Sequence, residues 1–175
     1  GLFVFSTPGA SNSIVSGQIN NNEMSYNAGS GLQVELHAGN FSSSIFANNA
    51  NQNTDGLALT VDHTTLNLDV HDNHTSQNAN SGITVQTRDG SQIWGAGISA
   101  NTLTGDNPSA HNPAAALDVR VTDSNWNAGN LSDNLVAGSA FRGISLDLIG
   151  NTPLVRLNRV ADGKVYAKLE SRSEE

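Results

Sequence analysis

The densest group of chemically capable side chains is Asp62-His63 followed by His71-Asp72-Asn73-His74. Imidazole and carboxylate are the ligand types of zinc and related ions, so His63, His71, Asp72 and His74 are the candidate metal ligands. The competing reading places all four on turns or outward positions of a polar surface. Trp94 and Trp126 are the two tryptophans and the candidate platforms for stacking on sugar rings; each is equally suited to plugging a corner of the core. The chain has no cysteine, which excludes disulfides, thiolate ligands and thiolate nucleophiles. Carboxylates are numerous, and glycoside hydrolysis needs two of them a few ångströms apart across a cleft. Whether any two meet depends on the elements that carry them.

Those elements are short and alternate strictly. Leu32–Leu36, Leu57–Val61, Ile83–Thr87, Leu117–Val121 and Ile144–Leu148 each follow a Gly or Ala and place an apolar residue at every second position, Thr87 excepted. Period-two alternation is the pattern of a strand with one buried face. The glycine or alanine that opens each strand recurs at intervals of 25, 26, 34 and 27 residues, the spacing of a coil that stacks one strand per turn. The longest interval contains Asp106-Asn107-Pro108-Ser109-Ala110-His111-Asn112-Pro113, an excursion loop by its prolines. A second phrase follows the strands, an apolar group and then asparagine at Asn48, Asn73 and Asn101. Asparagine tolerates left-handed backbone at corners, and stacked asparagines can hydrogen-bond from turn to turn. Ile14–Asn20 reads as an earlier copy and Gly1–Phe5 as a frayed first strand.

The expected fold is therefore all-β, a parallel β-helix (β-solenoid) of about five to six rungs over residues 1–148. In register, one outward row reads Gln33, Ala58, Thr84, Asp118, Ser145, and its neighbour Glu35, Thr60, Gln86, Arg120, Asp147. The acids in these rows are isolated, and Arg120 is expected to pair with Asp147. The rung pattern resembles the right-handed parallel β-helix families of bacterial surface and autotransporter passenger proteins and of polysaccharide-acting enzymes. That resemblance implies a right-handed coil, and it says little about activity because one scaffold hosts many functions.

Charge divides the chain. Residues 1–141 hold two basic side chains, Arg88 and Arg120, against eleven acidic ones, a balance of −9; residues 142–175 hold six basic against five acidic, a balance of +1. An acidic, lysine-free body lacks the clustered cations that nucleic acids and anionic membranes require. No stretch approaches the roughly 20 apolar residues of a membrane helix.

From Ile149 the vocabulary changes: lysine appears and asparagine becomes rare. Ile149-Gly150-Asn151-Thr152-Pro153-Leu154-Val155-Arg156-Leu157-Asn158-Arg159-Val160, continued by Gly163 to Glu170, resembles the N-terminal start of the pyridoxal-phosphate-dependent cysteine synthase and cystathionine β-synthase family. In that family an Asn-Pro follows the Leu-Glu strand, and the cofactor lysine follows in a Ser-x-Lys element. Ser173-Glu174 stands where Asn-Pro is expected, so neither Lys164 nor Lys168 occupies the lysine position. The resemblance over residues 149–172 thus implies a fragment without its cofactor, joined to the coil as a fusion or junction. From its residues alone, the extension 149–175 reads as a β-hairpin around Asp162-Gly163, covering the open end of the solenoid.

No catalytic set and no cofactor site is complete in this sequence. It points to a non-catalytic structural or interaction segment of a secreted or cell-surface bacterial protein, stalk- or adhesin-like. Its contacts would be a polysaccharide, a surface protein, or neighbouring β-helix rungs of a longer chain. The alternatives are a carbohydrate-active or carbohydrate-binding β-helix module, and an inactive cysteine synthase-like fragment.

Overall fold

The computed structural model describes residues 1–7, 14–109, 111–127, 130–149, 156–158 and 165–170. Among them there is no helix. The first turn of the coil carries β1 (Leu2–Phe5) and β2 (Ile14–Asn20), the second β3 (Leu32–Phe46) and β4 (Asn49–Asn51), the third β5 (Leu57–His71) and β6 (His74–Ser76). The fourth carries β7 (Ile83–Arg88), β8 (Gln92–Ser99) and β9 (Thr102–Thr104), and the fifth β10 (Ala115–Thr122), β11 (Asn125–Trp126), β12 (Asn130–Ser132) and β13 (Leu135–Ala137). β14 (Arg142–Ile149), β15 (Arg156–Asn158) and β16 (Val165–Glu170) follow. Strands pair in parallel with the turns before and after, which makes the chain a β-solenoid.

The register is the one the alternation dictates. Gln33 pairs with Ala58, Ala58 with Thr84, Thr84 with Asp118 and Asp118 with Ser145, and the neighbouring row runs Glu35, Thr60, Gln86, Arg120, Asp147. The opposite faces of these strands build the core. Leu32, Leu57, Ile83, Leu117 and Ile144 form one buried column; Val34, Leu59, Val85, Val119 and Leu146 form the next. A one-residue slip would expose every one of these aliphatics, so burial fixes the register.

Side-chain ladders pin the corners. Asn22, Asn48, Asn73, Asn101 and Asn134 stack, each donating its backbone N–H and Nδ2 to Oδ1 of the next, at 2.9–3.1 Å. Nδ2 of Asn48, Asn73, Asn101 and Asn134 also donates to a backbone carbonyl of the preceding turn. The left-handed residue expected here is not the ladder asparagine but the one before it: Asn21, Ala47, Asp72, Ala100 and Asp133 have φ between 52° and 56°.

A second ladder, not foreseen from the sequence, runs five residues later through Asn27, Asn53, Asn78 and Asp106. Its last member is a carboxylic acid, wholly buried. Asp106 Oδ1 accepts from Asn78 N and Nδ2 at 3.0 and 2.8 Å, and Oδ2 accepts from Thr75 Oγ1 at 2.7 Å. Burial pushes its pKa above the usual carboxylate value, against the lowering by these hydrogen bonds and by His74 nearby.

The tail departs from the expected hairpin. β15 pairs in parallel with β12, and β16 in parallel with β14, matching Val165 to Ile144 and Leu169 to Leu148. Two strands that each continue a separate column of the coil extend the solenoid by another pass. Residues 150–155 and 159–164, which include the Asp162-Gly163 turn and Lys164, lie outside the described residues.

Candidate functional site

The histidines do not converge. His63 sits exposed at a corner with φ 46°, its Nδ1 3.7 Å from Asp62 Oδ1. Asp62 is held by His37 Nδ1 at 2.7 Å and approached by Arg88 at 3.8 Å, so that carboxylate is engaged. His71 lies at the far end of the same fifteen-residue strand, between Asp72 at 2.8 Å and Asp69 at 3.7 Å, with its ring stacked on Phe46. His74 is exposed on β6. Among the described residues no group of three or more His, Asp or Glu is placed to hold a metal ion.

The tryptophans take opposite roles. Trp126 is 1% exposed and plugs the core beside Ile93, while Trp94 is 50% exposed on the outer face of β8. Ladder pairing breaks just after Trp94, where β8 carries an extra residue opposite Leu68, a β-bulge at Gly95-Ala96. Gly95 has φ +100° and no room for a Cβ, which would meet Asn67 Oδ1 and the Leu68 carbonyl.

A groove of about 420 Å³ runs along the outward rows of β3, β5, β7 and β10. Ala58, Thr60, Thr84 and Gln86 line it, and the side chains of Thr60, Thr84 and Gln86 make no hydrogen bond to the described residues. One wall is the excursion loop at Asn112-Pro113-Ala114. Asn107 is buried beneath that loop and donates to the Ala114 and Asn112 carbonyls, while Asn112 reaches back to Asn80 Oδ1 at 2.8 Å. Asn112, Pro113 and Ala114 of the longest interval therefore form a wall of the groove.

Asp118 is the buried acid of this groove, 6% exposed at the side chain. Desolvation raises its pKa; Arg120 opposes the rise, Asp147 on the next turn adds to it, and Arg142 opposes it. The expected Arg120–Asp147 pair is not the one formed: Arg120 Nη2 donates to Asp118 Oδ2 at 3.2 Å, two residues along its own strand. Residues two apart on a strand share a face, close enough for an arginine to reach back. Asp118 Oδ1 and Asp147 Oδ1 are buried and accept no hydrogen bond from the described residues. Glu35, at the edge of the same face, accepts from Gln33 Nε2 at 2.6 Å.

No family model, no curated protein and no solved structure matches the chain. The likeness to bacterial surface β-helices and the likeness of the tail to cysteine synthases thus rest on the residues quoted above alone. Lys168 stands in β16 as the register partner of Asp147, a strand position of the coil.

Proposed function

We propose that this β-solenoid is a non-catalytic structural and interaction segment of a secreted or cell-surface bacterial protein, with the groove over β3 to β10 as its contact surface. The observation that carries the reading is the state of the groove. It has a wall held by hydrogen bonds from Asn107 and Asn112 and a floor of hydroxyl and amide groups unpaired among the described residues, while its buried acid is tied to a neighbouring arginine. Unspent, fixed, uncharged hydrogen-bonding groups favour a hydroxyl-rich neutral ligand such as a stretch of polysaccharide, because they need no counter-charge and lose little entropy on contact. The acidic surface of residues 1–141, which carry no lysine, opposes polyanions. Retention of the chain on a panel of immobilised neutral and acidic polysaccharides tests this. Binding to a neutral polymer that Gln86→Ala weakens about tenfold or more supports the groove as the contact surface.

A second reading, a carbohydrate-active module, is favoured by one specific pair. Asp118 holds its proton more tightly than an ordinary carboxylate, and Asp147 lies diagonally across one turn on the same face. A proton-holding acid beside a second carboxylate is the set a glycosidase uses. Against it stands Arg120, which occupies Asp118 Oδ2, and the burial of both unpaired oxygens away from the groove's open space.

A further inference from the structure

We propose that the outer face around Trp94 is a second carbohydrate-binding platform, which takes a neutral, extended chain of hexose units and shares no residue with the groove. At Ala38, His63, Asp89 and Asp123, all with positive φ, the coil turns a corner away from the groove. Beyond it the later halves of β3 and β5 continue with β8 and β11 as one parallel face. On that face Ser42, Asn67 and Trp94 form one outward row. Trp94 is 50% exposed there, in a chain that buries its other tryptophan almost completely. An indole kept in water on a sheet face is a surface for contact, since its ring is apolar and its edge can hydrogen-bond.

The backbone beside the ring is specialised. The β-bulge at Gly95-Ala96 follows Trp94 directly, and a bulge re-aims the side chain next to it. Two glycines make that bulge possible. A Cβ on Gly95 would strike Asn67 Oδ1 and the Leu68 carbonyl, and one on Gly97, at φ +91°, would strike the Asn130 backbone.

The neighbouring row names the ligand. Asn40, Thr65, Gln92 and Asn125 are register partners on four successive turns, two residues along the strands from the row of Trp94. Asn40 and Thr65 are exposed and Gln92 and Asn125 half-buried, and none of the four side chains hydrogen-bonds to the described residues. Turns lie about 4.8 Å apart, so a chain laid along the coil axis meets a fresh donor or acceptor at every turn. The row carries no charge. On the other side of the tryptophan row the acid Asp69 is already engaged, by Ser44 Oγ at 2.8 Å and with His71 Nε2 at 3.7 Å. An aromatic face beside uncharged amides and a hydroxyl complements a pyranose, whose C–H face stacks on the indole while its hydroxyls reach the row. A sheet pinned by side-chain ladders has little twist, which favours a ribbon-like β-1,4-linked chain over a helical one.

Tryptophan fluorescence tests this, because Trp126 is shielded in the core and the exposed Trp94 reports on its own face. Titrating the intact chain with cellohexaose and with mannohexaose should shift the emission to shorter wavelength, saturably with at least one of them, and protect it from quenching by iodide. Thr65→Ala combined with Gln92→Ala should lower the affinity read from that shift about tenfold or more, with an unchanged circular dichroism spectrum. Trp94→Ala should remove this class of site from a calorimetric titration. No saturable shift with either hexamer overturns the proposal, as does an affinity that the double variant leaves within about twofold. Trp94 does not line the groove, so a chain retained on a neutral polymer with Trp94 unresponsive refutes the platform and leaves the groove reading standing. Should a variant not fold, protection from iodide in the unaltered chain decides.

Discussion

Asp106→Asn should make the protein more stable at neutral pH. The position belongs to a ladder whose other three members are asparagine, and the acid there is wholly buried. Three hydrogen bonds reach it, two from Asn78 to Oδ1 and one from Thr75 Oγ1 to Oδ2. An amide keeps the first two at its oxygen, and its Nδ2 can donate to the Thr75 hydroxyl, which then accepts instead of donating. The bond count is unchanged, and what disappears is the cost of desolvating a carboxylate. That cost is several kcal/mol, offset in part by the extra strength of hydrogen bonds to a charge, so the net gain is about 1–2 kcal/mol. For a chain of this length it raises the melting temperature by roughly 2–8 °C. The sign with pH follows from the raised pKa. Below the unfolded value of 3.8 the acid is protonated in both states and costs nothing; as pH rises from there through the higher folded value, stability is progressively lost. The advantage of Asn should therefore be larger at pH 7 and shrink towards pH 3.5. Thermal melts of both proteins across that range decide it. An Asn variant less stable at pH 7, or a difference that does not change with pH, refutes the reasoning.

Other perturbations have defined outcomes. Asn73→Ala removes the acceptor for Asn48 N and Nδ2 and the donors to the Ile45 carbonyl and Asn101, and should cost about 2–4 kcal/mol in urea unfolding; a loss below about 0.5 kcal/mol would deny the ladder its role. Leu59→Asp puts an unpaired carboxylate into a site 1% exposed, and should cost several kcal/mol and unfold neighbouring turns together, visible as a single collapsed transition by circular dichroism. Zinc added in excess should shift the melting temperature by less than about 1 °C, since His63, His71 and His74 do not share a point; a large saturable rise would restore the metal site.

The core and its register were legible because alternation over six residues, repeated five times, leaves one arrangement that buries Leu32, Leu57, Ile83, Leu117 and Ile144 together. The short strands of the second sheet were not, since Asn49-Ala50-Asn51 and its partners are three residues long and carry one buried side chain each. Their signal was present in another form. Asn27, Asn53, Asn78 and Asp106 repeat at separations of 26, 25 and 28, the same as Asn22, Asn48, Asn73 and Asn101. At the groove, the rows were read correctly but the partner of Arg120 was not. Cross-turn register places Asp147 nearest along the stack, and only the side-chain geometry shows the arginine turning to Asp118. No pattern in the sequence separates Trp94 from Trp126, because which face of the coil a loop-borne residue meets depends on bulges such as Gly95-Ala96.

The central claim is that the groove holds a ligand without transforming it. The most direct measurement incubates the chain with each polysaccharide it retains and assays the polymer for new reducing or unsaturated ends. Binding with no new ends, equally so in Asp118→Asn, is the predicted result. New ends that accumulate with time and disappear in Asp118→Asn or Asp147→Asn would contradict it, and would make the Asp118–Asp147 pair a catalytic one.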